Sequence, residues 1–183
     1  MPIVFVPGAK GPTAVFMVGL QSGRNRLVRE DGSWARAYVP AYLRRYPYIL
    51  REVVGQDPLV MIDEKNTVLS DTDGDALFDE SGEPSPALNA AIGFTNEYFA
   101  AGQRTQAFVE LLGDLDLFRP ITIETRVAGG EAQTIHGLLA VDEGKLYELS
   151  DEDFLKLRDA RVLAAIFAHF FSLSQIERLR DEA

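Results

Sequence analysis

The feature that most restricts the fold of this chain is a change of period at Pro86. Before it, apolar runs are short and closed by turn residues. Ile3–Val6 ends at Pro7-Gly8, Ala14–Leu20 follows Gly11-Pro12, and Asn25–Arg29 leads into Glu30-Asp31-Gly32. Short apolar runs between such breakers signal strands, and continuous ones imply burial on both faces. Leu59–Asp63 and Thr67–Leu69 read as a further hairpin around Glu64-Lys65-Asn66. No strand leads into a glycine-rich turn and helix, so a dinucleotide-binding fold is not expected.

From Pro86 the spacing becomes helical. Ser85 can cap and Pro86 can occupy the first turn, and Leu88, Ile92, Phe94, Tyr98 and Phe99 follow at helical intervals. Gly102 is expected to separate this helix from a second, Gln103–Gly113, whose apolar face holds Phe108, Leu111 and Leu112. Beyond Pro120, Ile121, Ile123 and Thr125 alternate with polar residues, and Ala128-Gly129-Gly130 turns the chain into Gln133–Val141. Ser150 caps a helix over Asp151–Asp159, with Asp153 at its third position, and a last helix spans Arg161–Arg180. The expected fold is therefore α+β in one domain over residues 1–183. It has a strand-rich N-terminal part, a central helix pair, a β-hairpin and C-terminal helices.

Composition removes several function classes. With 183 residues and 46% apolar side chains the chain can bury a core. No apolar run reaches the ~20 residues of a membrane span, and Met1 leads directly into Pro2-Ile3 without a basic leader, so a soluble chain with no signal peptide is expected, cytoplasmic or envelope-associated. The absence of cysteine excludes disulfides, thiolate zinc sites and cysteine nucleophiles. The formal charge of −10 disfavours nucleic-acid binding, which needs surplus Lys and Arg. That charge is uneven, because eight acids and only Lys65 lie between Asp63 and Glu83.

The most distinctive segment is Trp34–Leu50. Trp34, Tyr38, Tyr42 and Tyr46 fall every fourth residue, interleaved with Arg36, Arg44 and Arg45, and Pro40 and Pro47 bracket a short helix. Such a cluster can grip a protein partner or small ligand through stacking and cation–π contacts, or it can line a groove in the core with its hydroxyls at the rim. A concave pocket against Trp34, Tyr38 and Tyr42 would favour the first reading.

Other candidates are less specific. Asp71, Asp73 and Asp75, with Asp79 nearby, occupy alternate positions like the oxygen ligands of a Ca²⁺ loop. Ala76 stands where such loops need Gly, and Gly82 where they need Glu, so the alternative is a solvated acidic turn anchored by Leu77-Phe78. No other cofactor is suggested. His136 and His169 are the two histidines, and as general bases they would define a small hydrolase-like enzyme. No nucleophile elbow or phosphate loop accompanies them, and His169, among phenylalanines, reads as a core residue bonded to a neighbouring carbonyl. The apolar stripe Leu163–Leu173 is either core or the face of a homo-oligomer.

Several of these segments together resemble the SapC family of bacterial proteins. The landmarks are Pro2-Ile3-Val4-Phe5-Val6, then Val18-Gly19-Leu20 with Gly23-Arg24-Asn25. Trp34 with Tyr38-Val39-Pro40-Ala41-Tyr42-Leu43-Arg44-Arg45-Tyr46-Pro47 is the most specific. Leu77-Phe78-Asp79 with Gly82, Gly137-Leu138-Leu139 with Val141-Asp142-Glu143, and Ala168-His169 with Ser172-Leu173 complete the series. Members usually carry further residues before the first strand, so an N-terminally shortened form is expected. Arg161 stands where a glycine is common, which suggests a different entry turn into the last helix. The resemblance implies a surface-layer-related protein without agreed activity and carries over no catalytic residue. The expected function is a non-catalytic accessory or binding protein of the bacterial envelope, with the hydrolase-like enzyme and the structural assembly subunit as alternatives.

Overall fold

The computed structural model describes residues 1–35, 38–53, 55, 58–65, 68–126 and 132–179. Arg36, the Asn66-Thr67 part of the expected hairpin turn, and the Ala128-Gly129-Gly130 turn lie outside the described residues. In chain order the elements are β1 (Ile3–Val6), β2 (Thr13–Phe16), α1 (Ala41–Arg44), β3 (Tyr48–Arg51), β4 (Leu59–Ile62), α2 (Pro86–Asp114), β5 (Phe118–Arg126), β6 (Ala132–Val141), α3 (Glu143–Tyr147), α4 (Asp151–Asp159), α5 (Leu163–Leu173) and a 3-10 turn, Ser174–Leu179. Helices and antiparallel sheets coexist, as an α+β fold requires. The chain falls into two units, Met1–Arg36 with Thr105–Ala183, and Ala37–Arg104, and α2 contributes to each.

The first unit is built on an antiparallel sheet of order β2-β1-β6-β5. Successive strand residues face opposite ways, so Val4 and Phe5 enter different apolar clusters. Phe5 joins Leu112, Leu117, Leu157 and Ile166, while Val4 joins Leu20, Ile123, Leu138 and Leu179. Both faces of β1 are thus buried, as its unbroken apolar run implied, and each such side chain contributes about 1.5–3 kcal/mol. Pro120 is tolerated because β5 lies at the sheet edge. On β6, His136 and Gly137 together oppose Thr122, and Gly137 takes φ +77° at this bulge.

Two polar links fasten α5 to the middle strands. Ser172 Oγ accepts from the Ile3 N–H of β1 at 3.0 Å and donates to the His169 carbonyl at 2.7 Å. His169 Nε2 accepts from the Val141 N–H of β6 at 3.1 Å. Helix α4 ends in a Schellman motif, with the Val162 N–H on the Leu157 carbonyl and the Arg161 N–H on Arg158. Arg161 sits at φ +59°, the left-handed conformation glycine adopts without cost, so no different entry turn is needed. At Gly19 a Cβ would run into the Arg24 carbonyl, which accounts for a glycine in this close crossing.

The second unit pairs β3 with β4, Tyr48 opposite Ile62 and Arg51 opposite Leu59, and α1 precedes this hairpin. Ser85 caps α2, its Oγ accepting from the Leu88 N–H at 3.2 Å. Among the described apolar residues of this unit, Leu88 and the two prolines Pro40 and Pro47 are buried.

Several expectations are corrected. Gly102 lies inside one continuous helix, because a lone glycine costs only about 1 kcal/mol and the apolar stripe runs on past it. β4 pairs with β3 rather than with residues 67–69, where Val68 and Leu69 form no strand. The second strand stops at Phe16, since the close crossing at Gly19 bends the chain. Residues 25–29 make only an isolated bridge between Val28 and Trp34. The last helix begins at Leu163 and tightens to a 3-10 turn after Leu173. Helix α3 was not anticipated. Asp142 caps it by accepting from the Gly144 and Lys145 N–H groups, which explains an acid at that landmark.

Candidate functional site

The aromatic–arginine segment folds as its prolines predict. Pro40 opens α1 and Pro47, after a cis peptide, follows its end. Both arginines are then clasped by rings of their own unit. The Arg44 guanidinium lies 4.8 Å from the Phe94 centroid and 5.6 Å from Tyr38, and its Nε donates to the Val39 carbonyl. Arg45 lies 4.8 Å from Tyr42 and 5.1 Å from Tyr98, and donates to the Tyr48 carbonyl. Phe94 and Tyr98 are one helical turn apart on α2, so the two arginines staple α1 to it. Four of the six nominated residues, Tyr38, Tyr42, Arg44 and Arg45, are therefore engaged in holding the unit together. Trp34 belongs to the first unit, where it bridges Val28.

Among the described residues a concave surface lies in the second unit. A cavity of ≈ 550 Å³ is walled by Tyr46, Pro47 and Tyr48 on one side and by the chain from Val68 to Leu77 on the other. It therefore joins the end of the aromatic segment to the loop carrying Asp71, Asp73 and Asp75, two stretches that sequence reading had treated separately. Tyr38 and Tyr42 do not line it. Tyr46 donates its hydroxyl to Asp63 at 3.2 Å; partial desolvation, then the Asp63 charge, raises its proton affinity, so the phenol stays neutral and a donor.

A second, apolar cavity of ≈ 330 Å³ is lined by Val60, Met61 and Ile62 of β4, with Phe78, Leu88 and Ile92. The two cavities share Tyr48 and Leu77 as a common wall. Val60, Met61, Ile62 and Ile92, which line this cavity, do not stand out in the sequence. The available signal was the apolar content of β4 on both faces, unusual in a two-stranded sheet.

Asp79 does not join the other aspartates of the acidic loop on that wall. Its Oδ1 accepts from the Ser81 N–H at 2.8 Å, the Ser81 hydroxyl at 2.6 Å and the Glu83 N–H at 3.0 Å. These bonds, the hydroxyl foremost, hold its carboxyl below the usual range and close a tight turn bridged by Phe78 and Pro84. Gly82 supplies the left-handed residue of that turn at φ +82°, as Gly32 does at φ +81° in the similar turn bridged by Val28 and Trp34. Among the described residues no three His, Asp or Glu side chains converge as metal ligands do.

Neither histidine is among the residues that line these cavities. His169 is 2% exposed, packed against Phe5 at 5.1 Å and Phe170 at 5.8 Å. Its Nε2 accepts a backbone N–H rather than the ring donating to a carbonyl, and its buried Nδ1 has no hydrogen-bond partner. Burial holds its proton affinity below the ordinary value, the Arg119 charge adds to this, and the nearby Ile3 backbone works against it. A ring accepting at Nε2 carries its proton on Nδ1 and is neutral. His136 is exposed at the β6 bulge. No single helix among the described residues is long and apolar enough to cross a membrane.

No curated protein and no solved structure matches this chain. The model of the SapC family, however, matches residues 1–179, taking in every landmark whose geometry is described above: the first strand, the close crossing at Gly19, the arginine staple, the Gly82 turn, the Gly137 bulge and the His169–Ser172 anchor. The chain belongs to the SapC family.

Proposed function

We propose that this SapC chain is a non-catalytic accessory or binding protein of the bacterial envelope, and that it holds its partner in the cavity walled by Tyr46, Tyr48 and residues 68–77. The observation that carries this reading is the meeting of the aromatic segment and the acidic loop around ≈ 550 Å³ of open space. A unit whose buried apolar residues are few gains little from displaying so much apolar surface unless something covers it. The nominated arginines act as supports of the wall rather than as contacts. The hydrolase-like alternative has no comparable support, since neither histidine lines either cavity.

The reading is tested by a photo-crosslinking residue at Ala76, inside the cavity, and at Glu152 as an exposed control on α4, in cells producing the full chain. An adduct specific to Ala76, lost when Ala87→Trp, at an α2 residue that also lines the cavity, plugs it without lowering the melting temperature, is the expected outcome. Equal adducts at both positions, or an adduct indifferent to Ala87→Trp, would overturn it.

A second reading, an assembly subunit, is favoured by one observation: Phe167 and Phe171, one turn apart on α5, are 41% and 75% exposed. It predicts a dimer by light scattering that becomes monomeric in Phe171→Ser, and a strict monomer excludes it.

A further inference from the structure

We infer that the occupant of this site is an extended peptide segment of a partner protein, with a large apolar side chain next to lysine or arginine. The inference rests on the proposed reading of the cavity as a binding site and names the chemistry that fits it. Three observations lead to it.

The apolar cavity and the acidic cavity are neighbours that share Tyr48 and Leu77 as lining residues, so an extended segment passing over these two side chains meets both. The apolar half presents aliphatic and aromatic carbon from β4 and α2, a seat for one leucine- or phenylalanine-sized group.

The acidic half is complementary to a cation. Asp71, Asp73 and Asp75 line it together with Tyr46 and Tyr48, whose ring faces also attract cations. No lysine or arginine is among its lining residues. A cation there meets several carboxylates, and the nearby Arg45 guanidinium is already engaged by the Tyr48 carbonyl and the Tyr42 and Tyr98 rings.

The extended form follows from β4. Val60, Met61 and Ile62 are consecutive, yet all three line the apolar cavity. Side chains alternate between the faces of a strand, so a cavity that takes in three successive residues runs along the β4 backbone as well as against one face of the hairpin, where Tyr48 also lines it. Among the described residues β4 pairs with β3 alone, which leaves its other edge open to an added strand. Backbone pairing supplies affinity, and the two cavities supply side-chain selection.

The test is a titration of the isotopically labelled full chain, followed by amide NMR shifts, with a synthetic peptide containing Phe-Leu-Lys-Lys in a Thr/Ser background. Two controls replace Lys-Lys by Glu-Glu or Phe-Leu by Ser-Ser. The expected result is saturable shifts at residues 60–62, 71–77 and 88–92, with each control at least about tenfold weaker. The triple variant Asp71→Asn, Asp73→Asn, Asp75→Asn, confined to an exposed loop, should lose about tenfold for the parent peptide, and binding should weaken as salt rises. Met61→Lys, at an exposed position, should abolish it. Equal binding of the Glu-Glu peptide overturns charge selection, and equal binding of the Ser-Ser peptide overturns the apolar seat. Shifts centred outside the groove, or no shift with any peptide, overturn the inference as a whole. In that last case an Ala76 adduct blocked by Ala87→Trp would still stand for the cavity as a site, so the two failures are told apart.

Discussion

The two units use their apolar residues in opposite ways. In Met1–Arg36 with Thr105–Ala183, Val4, Phe5, Leu112, Leu157 and Ile166 are essentially inaccessible and form two clusters against β1. In Ala37–Arg104, Tyr46, Met61 and Phe78 are each about half exposed and line one of two cavities, and Tyr42, Ile49 and Leu59 are exposed to a similar extent. The first unit is stabilised by area removed from water. The second is held by stacked arginines, a capped helix and a hairpin, interactions that fix geometry without consuming its apolar surface. Stability and binding thus draw on different stretches of one chain.

The largest test of this contrast is Leu112→Ala, which should cost about 3–5 kcal/mol in denaturant unfolding, because a fully enclosed side chain leaves a cavity its neighbours cannot fill. A loss below about 1 kcal/mol would break the comparison, since the first unit would then not depend on its core.

His169 comes next, and its effect depends on pH. The folded state holds the imidazole neutral with a lowered pKa, while the unfolded state titrates near the ordinary value of about 6.5. Below that value the unfolded chain binds more protons, so stability is full above it and is lost as pH falls through the lower folded value. His169→Leu should remove this part of the pH dependence and cost about 1–3 kcal/mol at neutral pH by orphaning the Val141 N–H. A variant whose stability falls with acid as steeply as the parent's would remove His169 from the account.

In the second unit, Arg45→Met keeps the side-chain stem but not the charge between Tyr42 and Tyr98, and should cost about 1 kcal/mol by thermal melt. An unchanged melt would show that the rings hold α1 without it. Smallest of all, Phe78→Ser and Met61→Ser should change stability by no more than about 0.5 kcal/mol, because both side chains face solvent. If Phe78→Ser costs as much as Leu112→Ala, the second unit has a core after all and the contrast fails.

Much of the local structure is legible in the sequence. The Ser85 and Ser150 caps, the prolines bracketing α1 and the alternation of β5 each depend on neighbours a few residues away. The errors have a common origin. Gly102 reads as a breaker by its own propensity, whereas packing along the whole length of the helix carries it past that residue. The nearest apolar run to β4 is residues 67–69, whereas β4 pairs with Tyr48–Arg51, which the aromatic pattern disguises. The candidate site was half legible for the same reason. Tyr46 and the Asp71–Asp75 loop stood out by composition, but their shared cavity depends on the β3–β4 pairing between them.

Residue order alone thus established an α+β chain with SapC landmarks, because periods, caps and turn glycines are short-range matters of sterics and hydrogen bonding. Only the fold decided which of two similar-looking arginines' neighbours became supports, which tyrosines faced a cavity, and which nitrogen of His169 accepts a bond. Those outcomes depend on burial and on partners tens of residues distant, and no spacing rule encodes which of several apolar faces will find each other.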